Sequence, residues 1–193
     1  MNDVVLITGT GRTGTTVMIK ILSLLGLDTG FQHLNEDEME RFIAQHSRGG
    51  LETQAKNIRN TICKSPNYWN KIPMISETHN IKKVFVPIRD LKETAMSRSK
   101  HGHSNGGLCG GATDTETQMV HNTNVVYQIS LDCATHNIPL EFVSFDQFIN
   151  NKDYAFDVCQ DISLSGENKS LEYDVFSTTY DTVIDISKIT TRG

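Results

Sequence analysis

A segment rich in glycine and threonine lies near the start of the chain, with the sequence Gly9-Thr-Gly-Arg-Thr-Gly-Thr-Thr16. The apolar run at residues 4–7 precedes it, and apolar residues at helical spacing follow it from 17 to 25, so we expect a strand, a glycine turn and a helix. Such a turn leaves backbone N–H groups free at the positive end of the helix dipole, where phosphate or sulfate binds well. The segment therefore predicts an anion-binding loop.

The residues inside this loop narrow the kind of anion that it could bind. A nucleotide-triphosphate P-loop has the pattern G-x-x-x-x-G-K-[ST]. Gly9 and Gly14 have that spacing and Thr16 stands at the hydroxyl position, but Thr15 stands where the lysine belongs, which argues against ATP or GTP. Arg12 places a positive charge inside the loop instead. Its guanidinium could bind both a phosphate oxygen and the oxygen that bridges to a leaving group.

Two other interpretations of the glycines stay open. Gly9, Gly11 and Gly14 could serve only a tight strand-to-helix turn, with Arg12 in solvent. They also have the spacing of a dinucleotide-binding turn, whose acidic residue, expected about twenty positions further on, would fall near Glu36.

A second passage from an apolar strand to a helix lies at Arg89-Asp90. Residues 83–88 predict a buried strand, although Pro87 cannot donate to a ladder, and residues 90–99 predict a helix. Two such units predict a parallel α/β sheet. Arg89 and Ser97, which follows it by about two helical turns, lie on roughly one side of the helix, so both could bind one phosphate if the chain folds back. The alternative is that Arg89 forms a surface ion pair, with Asp90 as the N-cap of the helix and Ser97 exposed on it.

In these two motifs the sequence resembles the sulfotransferases that use 3′-phosphoadenosine 5′-phosphosulfate (PAPS). The segment Arg12-Thr-Gly-Thr-Thr16 is similar to the 5′-phosphosulfate loop of that family, and residues 84–97 are similar to its 3′-phosphate motif. The segment Lys64-Ser-Pro-Asn-Tyr68 is similar to one found in some branches, and residues 142–148 faintly resemble the strand and acidic turn that follow. The resemblance implies an α/β fold of three layers, with a P-loop-like parallel sheet flanked by helices.

The resemblance also implies a role for each motif. Arg89 and Ser97 would bind the 3′-phosphate, and Lys64 would add positive charge near the transferred sulfonate. No metal is expected, because a sulfonyl group carries fewer negative oxygens than a γ-phosphoryl group. The 5′-phosphosulfate would be bound by the loop residues Gly11, Arg12, Thr13, Gly14, Thr15 and Thr16.

The base that removes the acceptor's proton is a histidine or a glutamate in related branches. In some of them it follows the loop arginine at a distance that falls on Gln32-His33 here, with Glu36 nearby. His33 is the first candidate, because its ordinary pKa is close to neutral, and Glu36 is the second. The implied activity is transfer of the sulfonyl group from PAPS to a hydroxyl or amine of a small-molecule or carbohydrate acceptor. The alternatives are a P-loop nucleotide kinase, with Asp90 holding magnesium, and a non-catalytic nucleotide-binding module.

Composition excludes some other classes of protein. A length of 193 residues predicts one domain over 1–193, and a net charge of -5 argues against a nucleic-acid-coating protein. The 4 cysteines are far apart, which argues against a disulfide framework or a zinc ribbon. We find no leader and no apolar run as long as a membrane span, so we expect a cytoplasmic protein without a membrane partner.

The other elements are predicted from periodicity and turn residues. Gly26 is expected to end the first helix. Asn35 and Glu38 predict the start of a helix that is broken at 47–50, and a polar helix should follow with Leu51, Ala55, Ile58 and Ile62 on one face. Residues 101–113 hold five glycines and predict a mobile surface loop. We expect a helix at 115–136, a strand at 139–144 and one or two short helices at 145–156. The tail over 161–193 has no clear prediction.

Overall fold

A parallel β-sheet of four strands lies at the centre of the computed structural model, which describes residues 1–45, 50–103 and 107–184. The order across the sheet is β2-β1-β3-β4, and all the strand pairs are parallel. The predicted parallel α/β sheet is therefore confirmed. The strands are β1 (Asn2–Ile7), β2 (Ile62–Lys64), β3 (His79–Ile88) and β4 (Leu140–Ser144).

Helices cover both faces of this sheet. Two short 3₁₀ helices, Ala55–Asn57 and Pro66–Asn70, flank β2. None of the helices in the described ranges is both long and apolar enough to cross a membrane. The α-helices of the described residues are α1 (Thr15–Leu24), α2 (Glu36–Gln45), α3 (Ile72–Ser76), α4 (Leu91–Ser99), α5 (Thr115–Thr135), α6 (Phe145–Asn150), α7 (Lys152–Glu167) and α8 (Tyr173–Val183).

Side chains of β1 alternate between two apolar cores. Val5 and Ile7 belong to a core with α1, α7 and α8, whereas Val4 and Leu6 belong to a core with α3 and α5. Because both faces are covered, the strand is a continuous apolar run without polar alternation. The fold therefore has three layers, with the sheet between two layers of helices.

Local capping residues set the ends of the early helices. Gly26, with a φ of 75°, follows the end of α1, as the sequence predicts. Asn35 Oδ1 accepts from the Glu38 N–H at 3.0 Å, while Glu38 Oε2 accepts from the Asn35 N–H at 2.9 Å. This reciprocal pair is a capping box, so the predicted start of α2 is confirmed.

The polar helix predicted after α2 is wrong. Only the 3₁₀ helix Ala55–Asn57 forms in that stretch, and Ile62 is instead the first residue of β2, in register with Val5 of β1. Leu51 has a φ of 60°, which lies outside the range of a right-handed helix. Strand pairing with β1 and full burial of Ile62–Lys64 prevail over the weak helical spacing.

The later elements agree with the predictions more closely. α5 and β4 form within one residue of their predicted ends, and α6 and α7 take the place of the short helices expected after β4. Much of the tail that had no prediction is helical, in the last residues of α7 and in α8. Residues 46–49 and the tail from residue 185 lie outside the described residues, so only residue 50 of the predicted break at 47–50 is described.

The strand order locates a crevice. In the strand order, β2 lies next to β1 at one edge of the sheet, whereas β3 and β4 follow on the other side of β1. The direction in which successive strands are added therefore changes between β1 and β3. In open α/β sheets, ligands bind beyond the carboxyl ends of the strands at such a change of direction. The glycine loop follows β1 and Arg89 follows β3, so both predicted phosphate motifs begin at this crevice.

Candidate active site

The loop between β1 and α1 turns on residues with positive φ, which are Gly9 at 152°, Gly11 at 71°, Arg12 at 60° and Gly14 at 90°. Arg12 is not a glycine, so its left-handed backbone is strained, as is common at functional sites. Gly14 is the N-cap of α1 and has no side chain to accept a hydrogen bond. The first N–H groups of α1 therefore lack a side-chain cap, as an anion site at a helix N-terminus requires.

Gly14 lies against the ring of Phe145, and this contact gives a prediction for stability. A Cβ atom at position 14 would lie 2.1 Å from Phe145 Cδ2 and Cε2. We expect Gly14→Ala to lower the free energy of unfolding by about 2–4 kcal/mol in urea denaturation, through backbone strain and overpacking. Gly26→Ala is the matched control, since Gly26 has a φ of 75° but nothing within 4 Å of an added Cβ. Equal losses in the two variants would show that the contact with Phe145 is not tight.

Arg12 connects the loop to α4. Its Nε and Nη2 atoms donate to Ser97 Oγ at 3.3 and 3.2 Å, and Nη2 also lies 3.2 Å from His101 Nε2. Ser97 is buried, and Arg12 is half-buried. The two predicted phosphate motifs therefore meet beyond the carboxyl ends of β1 and β3.

Arg89 forms an ion pair with Glu93, which follows it by four residues. Its Nε and Nη2 atoms each lie 3.2 Å from Glu93 Oε2, and its guanidinium lies 5.8 Å from the ring centre of Phe145. Within the described residues, no hydrogen bond joins Arg89 to Ser97, which lies about 9 Å along the axis of α4 from the start of that helix. The Arg89 guanidinium and Ser97 Oγ therefore have different hydrogen-bond partners, which are Glu93 and Arg12.

Lys64 ends β2 with a buried ammonium group beside the loop. Its side chain is 1% exposed. Nζ donates to Thr16 Oγ1 at 3.1 Å and to the Gly50 carbonyl at 3.0 Å, and it lies 3.6 Å from Glu52 Oε1. Burial lowers the pKa of Lys64 to about 8, while the Glu52 carboxylate opposes that shift. Lys64 is therefore still mainly protonated at neutral pH.

In the described part of the chain, no hydrogen bond or ion pair joins either predicted base to the loop. Glu36 Oε1 accepts from the buried Lys20 at 3.2 Å, so Glu36 joins α2 to α1. His33 is exposed. His33 lies five residues after Asp28, which is held at the amino end of β2. The Asp28 carboxylate there accepts hydrogen bonds from the backbone N–H and the hydroxyl of Thr61. This end of the strand is opposite to the end that carries the loop.

Three side chains near the loop were not predicted from the sequence. Glu52 lies beside Lys64, and its Oε2 lies 3.5 Å from Ser65 Oγ. Phe145 packs on the loop, and Arg98 donates to the Thr10 carbonyl. Arg98 is adjacent to a motif residue and Phe145 lies in the segment with the fainter resemblance, but Glu52 has no recognisable local signal.

The glycine-rich segment is anchored where the structure describes it. Gly107 is buried and its carbonyl accepts from Arg98 Nη1 at 2.5 Å, while the Cys109 N–H donates to Gln118 at 2.9 Å. Residues 104–106 of the expected mobile loop lie outside the described residues. No group of three or more His, Cys, Asp or Glu side chains in the described ranges could hold a metal ion.

Comparison with solved structures finds a likeness to the sulfotransferase domain of the Synechococcus PCC 7002 olefin synthase. The sequence identity is 11% and the TM-score is 0.48, with 97% of this chain and 94% of that chain covered. No family model and no curated protein matches the chain.

Proposed function

We propose that the chain transfers the sulfonyl group of PAPS to a hydroxyl or an amine of an acceptor. The contact of Arg12 with Ser97 carries this proposal, because it unites the phosphate loop and the second strand-to-helix unit at one edge of the sheet. Thr15 in place of the P-loop lysine supports a donor other than ATP or GTP. A small molecule or a carbohydrate would be the acceptor.

The residues of the loop fit a nucleotide with two separate phosphate groups. The 5′-phosphosulfate would bind to the N–H groups of residues 11–16 and to the hydroxyls of Thr15 and Thr16. Arg12 would add a guanidinium fork to the same group. The 3′-phosphate would bind Ser97 and Arg89 once Arg89 leaves Glu93.

Transfer breaks the bond between sulfur and the bridging 5′-phosphate oxygen and forms a bond between sulfur and the acceptor atom. Negative charge then grows on the departing bisphosphate, where Arg12 and Lys64 would stabilise it. The acceptor's proton must pass to a base. We place this base at Glu52, which lies beside Lys64 at the carboxyl end of β2, rather than at His33 or Glu36.

A nucleotide kinase is the main rival activity, and it would need Asp90 to hold magnesium. Asp90 Oδ1 accepts the Glu93 N–H at 2.8 Å as the N-cap of α4, so this carboxylate already stabilises the helix. A non-catalytic nucleotide-binding module is the second rival. Nucleotide binding without transfer to any acceptor would favour it.

Titration calorimetry with adenosine 3′,5′-bisphosphate and with Mg-ATP tests the proposal. We expect the bisphosphate to bind more tightly, and Arg89→Ala to weaken its binding by about 10- to 100-fold, because a charge-assisted hydrogen bond to phosphate is lost. Lys92→Ala is the control, since Lys92 is an exposed cation on the same helix. Equal or absent binding of the two nucleotides, or full-strength binding by Arg89→Ala, would contradict the proposal.

A further inference from the structure

Arg98 is a buried cation that no predicted motif uses. It is 8% exposed and lies in the last turn of α4, directly after Ser97. Its Nη2 donates to the Thr10 carbonyl and its Nη1 to the Gly107 carbonyl, both at 2.5 Å. The guanidinium therefore joins the phosphate loop to the glycine-rich segment.

The positive charge of Arg98 has no carboxylate partner within the described part of the chain. Burial lowers the pKa of its guanidinium from the ordinary value, although arginine stays protonated in proteins. Two backbone carbonyls solvate part of the group, but its Nε atom is buried without a hydrogen-bond partner. Burying a cation without an opposite charge is costly, so an anion close to this group would stabilise it.

Other unpaired polar atoms lie at the same loop. The hydroxyl oxygens of Thr8 and Thr13 are also buried without a partner among the described residues. The guanidinium is close to the loop backbone, because a Cβ atom on Gly11 would lie 2.3 Å from Arg98 Nη2. Three buried polar atoms, the two threonine hydroxyl oxygens and Arg98 Nε, therefore have no partner among the described residues, and they lie at or beside the loop that leads to the uncapped N-terminus of α1.

The bond to Thr10 also orients the next peptide group. The C=O and the N–H of a trans peptide point in opposite directions, and the described residues contain no cis peptide bond. Because the Thr10 carbonyl points at Arg98, the N–H of Gly11 points away from Arg98. That N–H remains available to a ligand on the other side of the loop.

We propose that Arg98 is a positioning residue of the anion site, which fixes the Thr10–Gly11 peptide for binding and whose charge is balanced by the bound 5′-phosphosulfate. This inference rests on the proposed function, since it concerns the same loop. Arg98 acts through the backbone of the loop and does not touch the transferred group. A nucleotide that lacks a 5′-anion should therefore gain little from Arg98.

Calorimetry on the full chain separates this role from a general structural one. We expect Arg98→Met to weaken binding of adenosine 3′,5′-bisphosphate by about 10- to 100-fold. The reason is that the variant loses both the charge of Arg98 and its charge-assisted hydrogen bond to the Thr10 carbonyl of the loop. Binding of adenosine 3′-monophosphate should stay close to wild type. Arg98→Lys keeps the charge and should recover part of the affinity. Arg59→Met is the matched control, since Arg59 is an exposed arginine outside the site.

Inorganic sulfate provides a second readout that does not depend on the adenosine group. We expect sulfate to raise the melting temperature of the wild type and of Arg59→Met, and to raise that of Arg98→Met much less. If Arg98→Met does not fold, Arg98→Lys is measured alone, and an unchanged affinity for the bisphosphate in that variant overturns the inference.

The outcomes distinguish this inference from the proposed function. Equal losses for both nucleotides in Arg98→Met, or an undiminished effect of sulfate, overturn the role of Arg98 while bisphosphate binding by the wild type still supports the proposed function. A wild-type protein that binds neither bisphosphate nor sulfate overturns both.

Discussion

Arg12→Met should slow sulfonyl transfer by about 10³-fold, the scale expected when a cation that stabilises charge on a departing phosphate is removed. Methionine fills a similar volume but cannot donate to the leaving bisphosphate or to Ser97. The measurement is the release of adenosine 3′,5′-bisphosphate from PAPS with a panel of alcohols, phenols, amines and sugars as acceptors.

Two further variants test whether the loss of rate comes from the guanidinium of Arg12. Arg41→Met is the matched control, because Arg41 is an exposed arginine on α2. Arg12→Lys should recover only part of the rate, since lysine supplies charge without the planar fork. Unchanged turnover in Arg12→Met, with an unfolding midpoint equal to that of the wild type, would show that Arg12 does not act in transfer.

Glu52→Gln should lower the turnover number by about 10²- to 10⁴-fold, the usual contribution of a general base. Its affinity for adenosine 3′,5′-bisphosphate should change little, because Glu52 faces the acceptor rather than the nucleotide in our proposal. The variant also loses the carboxylate that raises the pKa of Lys64. The pKa of Lys64 should then fall below the value of about 8 that it has in the wild type. The alkaline fall in activity should therefore move to lower pH.

The two bases predicted from the sequence serve as comparisons for Glu52. His33→Ala should leave turnover close to wild type, because His33 follows the segment at the amino end of β2. Glu36→Gln should act mainly on stability, through the lost ion pair with Lys20. If either of these variants loses most of its turnover while Glu52→Gln stays active, the base is His33 or Glu36 and not Glu52.

Features that depend on a few neighbouring residues were predictable from the sequence. The apolar run of β1 and the end of α1 at Gly26 are of this kind, as are the capping box of Asn35 and Glu38 and the N-cap Asp90. A capping residue acts on backbone groups within the same turn, so its effect can be read without knowing what packs against the helix.

Features that depend on pairing across the chain were not predictable in the same way. β2 is only three residues long, which is too short to show a period, and it exists because β1 lies beside it. The buried ammonium of Lys64 and the buried guanidinium of Arg98 likewise depend on which elements cover them. A lone lysine or arginine in a sequence gives no sign of its burial.

The sequence by itself determined the fold class and the start of both strand-to-helix units, because apolar runs, glycine turns and caps are local signals. It also singled out Arg12 and Ser97 as candidate phosphate-binding residues, but as members of two separate motifs. Only the tertiary structure decided that these two side chains touch, that Arg89 pairs with Glu93, and that Glu52 and Arg98 lie at the loop. Strand order and packing set those distances, and neither is encoded within a single segment of the chain.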